Sequence, residues 1–217
     1  MDYLNLISIA TIGLSLIEAG GLMMWLLLGL SVLVFTCLIE RTFHFHRAQI
    51  KHEGFIDGIK NTLGKQRRTE ALALCDQAPG PVSAIVKAML MACEKGEEGM
   101  LRIAETTALQ EVEALERRLG LFVFIARIAP LIGLLGTVIG LIEAFTSLHS
   151  GGVYANLGVL SGGVREALLP TGFGLGVTIF AVAAHYFLHA RLRSLIYDIE
   201  WATQEMIYYL TDYQVSQ

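Results

Sequence analysis

A carboxylic acid and two hydroxyls in apolar surroundings are the side chains of this sequence best suited to proton chemistry. Glu166 stands at the start of a long uncharged run, and Thr137 and Thr171 lie in two glycine-rich apolar segments, 129–140 and 166–175. An ionisable group at the mouth of a membrane-length apolar run is costly to bury, so its presence there favours a functional role. Small residues in both segments allow close helix packing in lipid. The segments therefore indicate a proton-handling helix bundle rather than a soluble enzyme.

Polar residues of the second segment and its continuation fall on one side of a helix. Glu166, Thr171, Thr178 and His185 share a face about 140° wide on a helix of 3.6 residues per turn. Such a face must turn towards a partner helix or an internal cavity, because lipid leaves polar groups unsatisfied. Three alternatives stay open. Glu166 also fits an interfacial acid favoured by a helix N-terminus, the threonines fit packing residues, and His185 fits an interfacial residue.

Small residues of the first segment form a strip on one helix face, which predicts close packing against another helix. The glycines of this strip are Gly133, Gly136 and Gly140. Thr137 lies on the same face, where its hydroxyl either lines a polar path or bonds back to its own helix. Glu143, near the end of the same run, has three interpretations. It is a proton-handling group, a partner of Arg165 across the following loop, or an interfacial residue.

Three apolar runs are long enough to cross a membrane. Hydrophobic residues make up 54% of the chain and charged residues 17%, whereas soluble domains carry about 25% charged residues. The predicted transmembrane helices are 19–40, 128–148 and 166–190, each near the ~20 residues that span a bilayer. The first run lacks the basic start of a cleavable signal peptide. The segment 1–18 is too short and broken to span, and we predict that it lies at the interface.

Basic residues predict how the spans are oriented. Residues 41–127 contain 13 of the 16 lysines and arginines, whereas residues 1–21 contain none. The positive-inside rule then places the N-terminus and the loop 149–165 outside, and the regions 41–127 and 191–217 in the cytoplasm. The cytoplasmic region is helical in pattern, with helices predicted at 54–64, 69–78 and 82–95. One long helix is predicted from about 97 to 148, because an apolar stripe runs into the second span without a stop signal. We predict that this stripe is part of a core; it consists of Leu101, Ala104, Ala108, Val112, Leu115 and Leu119.

Other functional classes lack support in the sequence. It contains no phosphate-binding G-x-x-x-x-G-K-[ST] loop, no H-E-x-x-H motif and no nucleophile elbow, so we predict no catalytic residue and no cofactor. Basic residues do not gather into a nucleic-acid-binding stripe. Cys37, Cys75 and Cys93 lack metal spacing and imply no disulfide framework. A histidine cluster after the first span fits a basic membrane anchor better than a metal site. It consists of His44, His46 and His52.

The two glycine-rich segments together resemble those of the MotA/TolQ/ExbB proton-channel family, most closely its ExbB and TolQ members. The first span ends in Glu40-Arg41, the second contains Ala-Pro-Leu-Ile-Gly-Leu-Leu-Gly-Thr-Val at 129–138, and the third opens with Glu-Ala-Leu at 166–168. The resemblance covers almost the whole chain. It implies an all-α polytopic membrane protein of the bacterial inner membrane, with three transmembrane helices and a cytoplasmic helical region.

The resemblance also implies a mechanism. ExbB-like subunits form a homopentamer around a single-span ExbD- or TolR-like partner, and the proton motive force drives work on a TonB- or TolA-like protein. Glu166, Thr137 and Thr171 match the family positions that line the pore. Alternatives are a TolQ-like role in envelope maintenance and a structural scaffold that conducts no protons. Pro170 and Arg165 depart from the family pattern.

Overall fold

The computed structural model describes residues 20–48, 52–150 and 157–215, and the regular elements among them are helices. They are α1 (Gly21–Ala48), α2 (His52–Gly64), α3 (Arg68–Gln77), α4 (Pro81–Met91), a 3₁₀ turn (Cys93–Lys95), α5 (Gly96–Ser150) and α6 (Leu157–Val215). The prediction of an all-α fold with one long helix is confirmed. The predicted interfacial segment 1–18 and residues 151–156 of the predicted loop lie outside the described residues.

Helices α5 and α6 are each far longer than one membrane span. α5 has 55 residues and therefore measures about 80 Å at 1.5 Å per residue. α6 has 59 residues and includes Pro170, just as α5 includes Pro130. The predicted third span, 166–190, and the predicted C-terminal helix, 191–217, lie in one continuous helix, α6, which begins at Leu157. Close packing at Gly163, described below, offsets the poor helix propensity of glycine in this first part of α6.

Three helices are long and apolar enough to cross a membrane, as judged from length and composition. The ranges are Gly21–Phe43, Cys93–His149 and Ser161–Asp212. Large apolar side chains stay uncovered on all three: Leu22 is 78% exposed, Leu131 64% and Ile179 70%. Surfaces of this kind mark contacts with lipid or with other proteins.

The chain divides into two compact units. The span unit holds the residues up to Leu38 together with Leu121–His185, and the charged unit holds Ile39–Gly120 and Tyr186–Gln217. We name the second for its content of most of the acidic and basic residues.

The charged unit has its own apolar core, to which α2–α5 and the last part of α6 contribute. Its largest fully buried side chains include Ile56, Ile59, Ile85, Met89 and Met100. The predicted stripe on α5 contributes Ala104, which is buried. Leu101 was predicted to join it but is 42% exposed, so that prediction is wrong. The core is completed by residues of α6 at three- and four-residue steps, namely Ile199, Ala202, Met206 and Leu210.

Polar contacts fasten α2 to α6 and shape the turn before α4. Lys60 pairs with Glu205, and the Tyr209 hydroxyl donates a 2.9 Å hydrogen bond to the Lys60 carbonyl oxygen. The predicted break before α4 has a physical basis in Gly80, whose φ of 113° favours glycine. Ser83 is buried and donates to the carbonyl oxygen of Ala78 at 2.7 Å.

Cys75 in the core of the charged unit is expected to react slowly with thiol reagents. Burial, together with the adjacent Asp76, raises the pKa of its thiol to about 11, and Lys87 opposes the shift. Because the reactive thiolate is disfavoured in the folded state, labelling by N-ethylmaleimide at pH 8 should be about a hundredfold slower than in the unfolded chain. The measurement uses a variant with Cys37 and Cys93 replaced by alanine. Equal rates before and after unfolding would contradict the burial of this thiol.

Candidate functional site

The centre of the span unit is a glycine-lined crossing of α5 and α6. A methyl group added to Gly133 would lie 2.7 Å from the carbonyl oxygen of Pro170, and one added to Gly174 would lie 2.7 Å from that of Ala129. Side-chain carbons do not approach backbone atoms so closely, so only hydrogen fits at both positions. The two backbones therefore touch directly, which is how small residues hold helices together in lipid.

The same close contact continues towards the C-terminal end of α5. A methyl group on Gly140 would lie 2.7 Å from the Cβ of Ala167, and one on Gly163 would lie 2.7 Å from the Cβ of Ala144. As α5 advances from 129 to 144, its contacts on α6 retreat from 174 to 163, so the two helices pair antiparallel. The register between Thr137 and α6 follows from this pairing.

Gly136 lies where α1, α5 and α6 meet. A methyl group added there would lie 2.7 Å from the Cβ of Pro170 and 3.2 Å from the Cβ of Met23. Pro170 is buried, and its ring fills the space that the absent side chain of Gly136 leaves. The three glycines of the predicted packing strip thus all lie against helices of the same chain. Gly163 and Pro170, which the sequence pattern alone did not assign to it, complete this contact.

Thr137 and Thr171 meet at the crossing and form a small polar cluster with a backbone carbonyl. Their hydroxyls are hydrogen bonded to each other. Thr171 Oγ1 also donates to the carbonyl oxygen of Gly133 at 2.9 Å, and Thr137 Oγ1 lies 3.3 Å from the same oxygen. We call the two hydroxyls and this carbonyl the threonine triad. The Thr137 hydroxyl bonds back to its own helix, which is one of its two interpretations from sequence, and it also contacts Thr171 on the neighbouring helix.

The hydrogen count of the threonine triad favours the binding of a hydrogen-bond donor. Each hydroxyl has one hydrogen and two lone pairs, and a carbonyl oxygen only accepts. The shorter distance to Gly133 favours Thr171 as its donor, with Thr137 donating to Thr171. In this order, or in the reverse order, both hydrogens are used inside the triad. The remaining lone pairs can accept a hydrogen bond from another group, but no hydrogen is left to donate.

Glu166 and Glu143 line one cleft of about 650 Å³ in the span unit. We call it the carboxylate cleft. The walls are the first residues of α1, the last part of α5 and the first part of α6, and Ser147 is among the lining residues. Both carboxylates are exposed. Glu143 and Ser147 are four residues apart and so share a helix face, a spacing that can be seen in the sequence.

Arg165 faces away from the carboxylate cleft and lines a different one. Among the residues whose side chains the structure describes, no ion pair joins it to Glu143. That partnership, one of three interpretations of Glu143 from sequence, therefore has no counterpart in the described structure.

The carboxylate cleft and the threonine triad are neighbours rather than one site. Neither threonine lines the cleft. Glu166 precedes Thr171 by five residues on α6, which corresponds to about 7.5 Å along the helix axis. Of the three residues predicted to line a pathway, Glu166 thus lies in the carboxylate cleft, and Thr137 and Thr171 lie in the neighbouring triad.

Comparison with known proteins identifies the family of this chain. The sequence profile of the MotA/TolQ/ExbB proton channel family matches residues 77–201, which is more than half of the chain. The matched range contains the threonine triad, Glu143 and Glu166. The chain belongs to this family.

Individual relatives are of the ExbB and TolQ types. The chain is similar to the putative biopolymer transport protein ExbB-like 3 of Synechocystis, with 31% identity over 194 residues, 88% of this chain and 92% of the relative. It is 33% identical over 195 residues to biopolymer transport protein exbB1 of Vibrio cholerae, covering 86% and 78%. It is 37% identical over 101 residues to Tol-Pal system protein TolQ of Haemophilus influenzae, covering 46% and 44%. It is therefore a multi-pass membrane protein of the ExbB/TolQ type.

Thr178 and His185, which were predicted on the same helix face as Glu166, lie further from the glycine-lined crossing. Thr178 is seven residues past Thr171, about 10.5 Å along the axis, and its hydroxyl donates to the carbonyl oxygen of Gly174 on its own helix at 2.9 Å. His185 lies another seven residues on and is half-buried. Neither residue lines the carboxylate cleft.

No metal site is found among the described residues. In that part of the chain, no three side chains of the types His, Cys, Asp and Glu are grouped as ligands. The side chains of His44, His46 and His52 are not among those that the structure describes, so the basic anchor stays a prediction.

Proposed function

We propose that this chain is the channel subunit of a bacterial inner-membrane complex that uses the proton motive force to energise TonB-dependent transport across the outer membrane. A homopentamer of the chain would enclose an ExbD- or TolR-like single-span subunit, and the complex would act on a TonB- or TolA-like protein. The observation that carries the proposal is the threonine triad. It is a partly buried acceptor site that lies about 7.5 Å along α6 from Glu166 in the carboxylate cleft.

The spacing of polar groups makes a partner necessary for proton movement. Proton transfer needs exchangeable groups at hydrogen-bond distance, about 2.6–3.2 Å between heavy atoms. The steps from Glu166 to Thr171 and from Thr171 to Thr178 are about 7.5 and 10.5 Å along α6. The Thr178 hydroxyl is already used by its own helix. A carboxylic acid supplied by another chain would fill these gaps, and the single-span partner would supply it.

The polarity of the threonine triad suits one protonation state of such an acid. A protonated carboxylic acid has a hydrogen to donate, whereas a carboxylate only accepts. Because the triad has no hydrogen left, it accepts from the protonated form and offers nothing to the ionised one. The partner acid would therefore dock at the triad when neutral and leave when ionised. Each proton that crosses a potential of 100 mV releases about 2.3 kcal/mol, which can drive the accompanying motion.

Replacing the hydroxyls tests this function. Thr137→Val and Thr171→Val keep the volume but remove a hydroxyl, and a net hydrogen bond is worth about 1 kcal/mol, or roughly fivefold. We expect proton-dependent activity in a complemented deletion strain to fall several-fold at normal protein level. Thr171→Ser retains the hydroxyl and should restore most activity. Thr178→Val is the matched control, because its hydroxyl bonds only to its own helix. Equal loss in all three valine variants would contradict the role of the triad.

The orientation of the chain is a separate proposal that rests on the distribution of basic residues. The N-terminus and residues 149–165 would be periplasmic, and the charged unit and the C-terminus would be cytoplasmic. In a chain without native cysteines, an impermeant maleimide should label Asn156→Cys in intact cells and Lys65→Cys only after lysis. Labelling of Lys65→Cys in intact cells would reverse the orientation.

A role in envelope maintenance is the second candidate. The TolQ relative has higher identity than the two ExbB-type proteins, but over a shorter stretch. The two roles differ in the partner that the chain binds. Purification of the tagged chain in mild detergent, followed by mass spectrometry, separates an ExbD- and TonB-like set from a TolR- and TolA-like set. Recovery of neither set would favour the structural scaffold.

A further inference from the structure

A second cleft in the span unit runs between α1 and α6 and has a volume of about 760 Å³. We call it the Arg165 groove. Its walls are largely apolar and include Leu168, Phe173 and Val177. Arg165, at the start of the apolar run of α6, is the cationic member of the lining. The carboxylate of the next residue, Glu166, lines the other cleft, so the charges of these two neighbours are directed to different places.

The part of the groove from Arg165 to Phe180 has the length of one bilayer leaflet. Ser161 lines the groove beyond Arg165, and Phe180 at the other end is stacked on Phe35 of α1 with ring centroids 6.3 Å apart. The fifteen residue steps from Arg165 to Phe180 correspond to about 22 Å along α6. One leaflet, headgroup included, is about 20–22 Å thick. A charged end at headgroup level and an apolar end near the midplane match the shape of a phospholipid.

Two glycines leave space open along the α6 wall of the groove. Gly172 and Gly176 line it at a spacing of one helical turn, and nothing lies within 4 Å of a methyl group added to either. They differ from the glycines of the α5–α6 crossing, which are filled by a neighbouring helix of the same chain. Helix packing within the chain therefore does not require them to be glycine.

We propose that the Arg165 groove binds one anionic phospholipid, with its phosphate at the Arg165 guanidinium and an acyl chain along Gly172 and Gly176. A guanidinium binds phosphate oxygens through two parallel hydrogen bonds. No carboxylate lines the groove, so Arg165 is the charged side chain that a ligand in the groove would meet. Water is absent from the hydrocarbon region of a bilayer, so an acyl chain there covers the apolar walls without loss of hydrogen bonds. Lipid binding here does not depend on proton transfer.

The test counts lipids on the full-length chain purified in mild detergent. Native mass spectrometry with added dioleoylphosphatidylglycerol should show one tightly held lipid per chain. Gly176→Leu fills the groove and should remove that lipid. Arg165→Gln should weaken the preference for phosphatidylglycerol over phosphatidylcholine about fivefold, the effect of one basic residue at a lipid surface. Gly29→Leu is the matched control, because Gly29 also has open space around it but lines neither cleft.

Free glycerol phosphate and a second copy of the chain are the competing occupants. Glycerol phosphate at the same concentration should not displace the lipid, because the acyl chain supplies most of the affinity. Displacement would mean an anion site without lipid specificity and would overturn the proposal. An unchanged lipid count in Gly176→Leu would also overturn it. So would a Gly176→Leu chain that keeps its lipid but loses its oligomeric state, which would place another copy in the groove.

Discussion

Glu166→Gln is expected to abolish proton-dependent function while leaving the chain folded, inserted and able to bind its partner. The side chain of Glu166 is exposed in the carboxylate cleft, and the packing contact at this level is made by the next residue, Ala167, against Gly140. Glutamine keeps the size of the side chain, but its amide does not take up or release a proton near neutral pH. Removing a charge that is costly in a membrane should not weaken insertion.

The measurement is complementation of a strain that lacks the gene, scored by energy-dependent uptake or envelope integrity at matched protein level. Glu143→Gln is the matched control, because Glu143 lines the same cleft at the same level. We expect a partial loss at most in that variant, since a proton in the cleft would still have Glu166. Glu166→Asp, which keeps the acid one methylene shorter, should retain part of the activity. Full function of Glu166→Gln would reduce Glu166 to an interfacial helix-start residue and would favour the scaffold interpretation.

Local patterns predict that the helices of this protein exist better than they predict where each helix begins. The long α5 follows from an apolar stripe that continues into a span without a stop signal. Gly80 precedes α4 and Gly96 begins α5, and both have a positive φ that favours glycine. The pattern did not show that α6 begins at Leu157, before the predicted span, because glycines in a sequence look like a loop until a partner surface is known. Leu101 was assigned to the core for a similar reason. Periodicity identifies a face, but not how far along the helix that face is covered.

The site shows the same limit more clearly. The glycine strip on α5 predicts a close contact, and its glycines do lie at one. The sequence does not say which residues lie opposite, because the register of two helices is decided by both surfaces together. The pairing of Thr137 with Thr171 and the shared cleft of Glu143 and Glu166 follow only from that register. Both pairs join residues more than twenty positions apart in the chain.

Gly133→Ala is expected to destabilise the span unit more than Gly136→Ala or Gly120→Ala on the same helix. The new carbon would lie 2.7 Å from the Pro170 carbonyl oxygen and 3.0 Å from the Thr171 Cα, so the backbone of α6 would have to move. Overpacking of this kind costs about 1–3 kcal/mol. The movement would also separate Thr171 from the Gly133 carbonyl oxygen and so disrupt the threonine triad. Gly133→Leu should leave no stable crossing.

A graded series on α5 makes this expectation specific. Gly136→Ala should cost less than Gly133→Ala, because its nearest neighbours are side-chain carbons, in the ring of Pro170 and at the Cβ of Met23, rather than backbone atoms. Gly120→Ala should be neutral or stabilising, since nothing lies within 4 Å and alanine is the better helix former by about 1 kcal/mol. Thermal unfolding in detergent should therefore rank Gly120→Ala above Gly136→Ala and Gly136→Ala above Gly133→Ala, with native mass spectrometry of the oligomer measured alongside. The α5–α6 crossing would be refuted by a Gly133→Ala variant as stable as Gly120→Ala, because a backbone contact this close has no room for a methyl group.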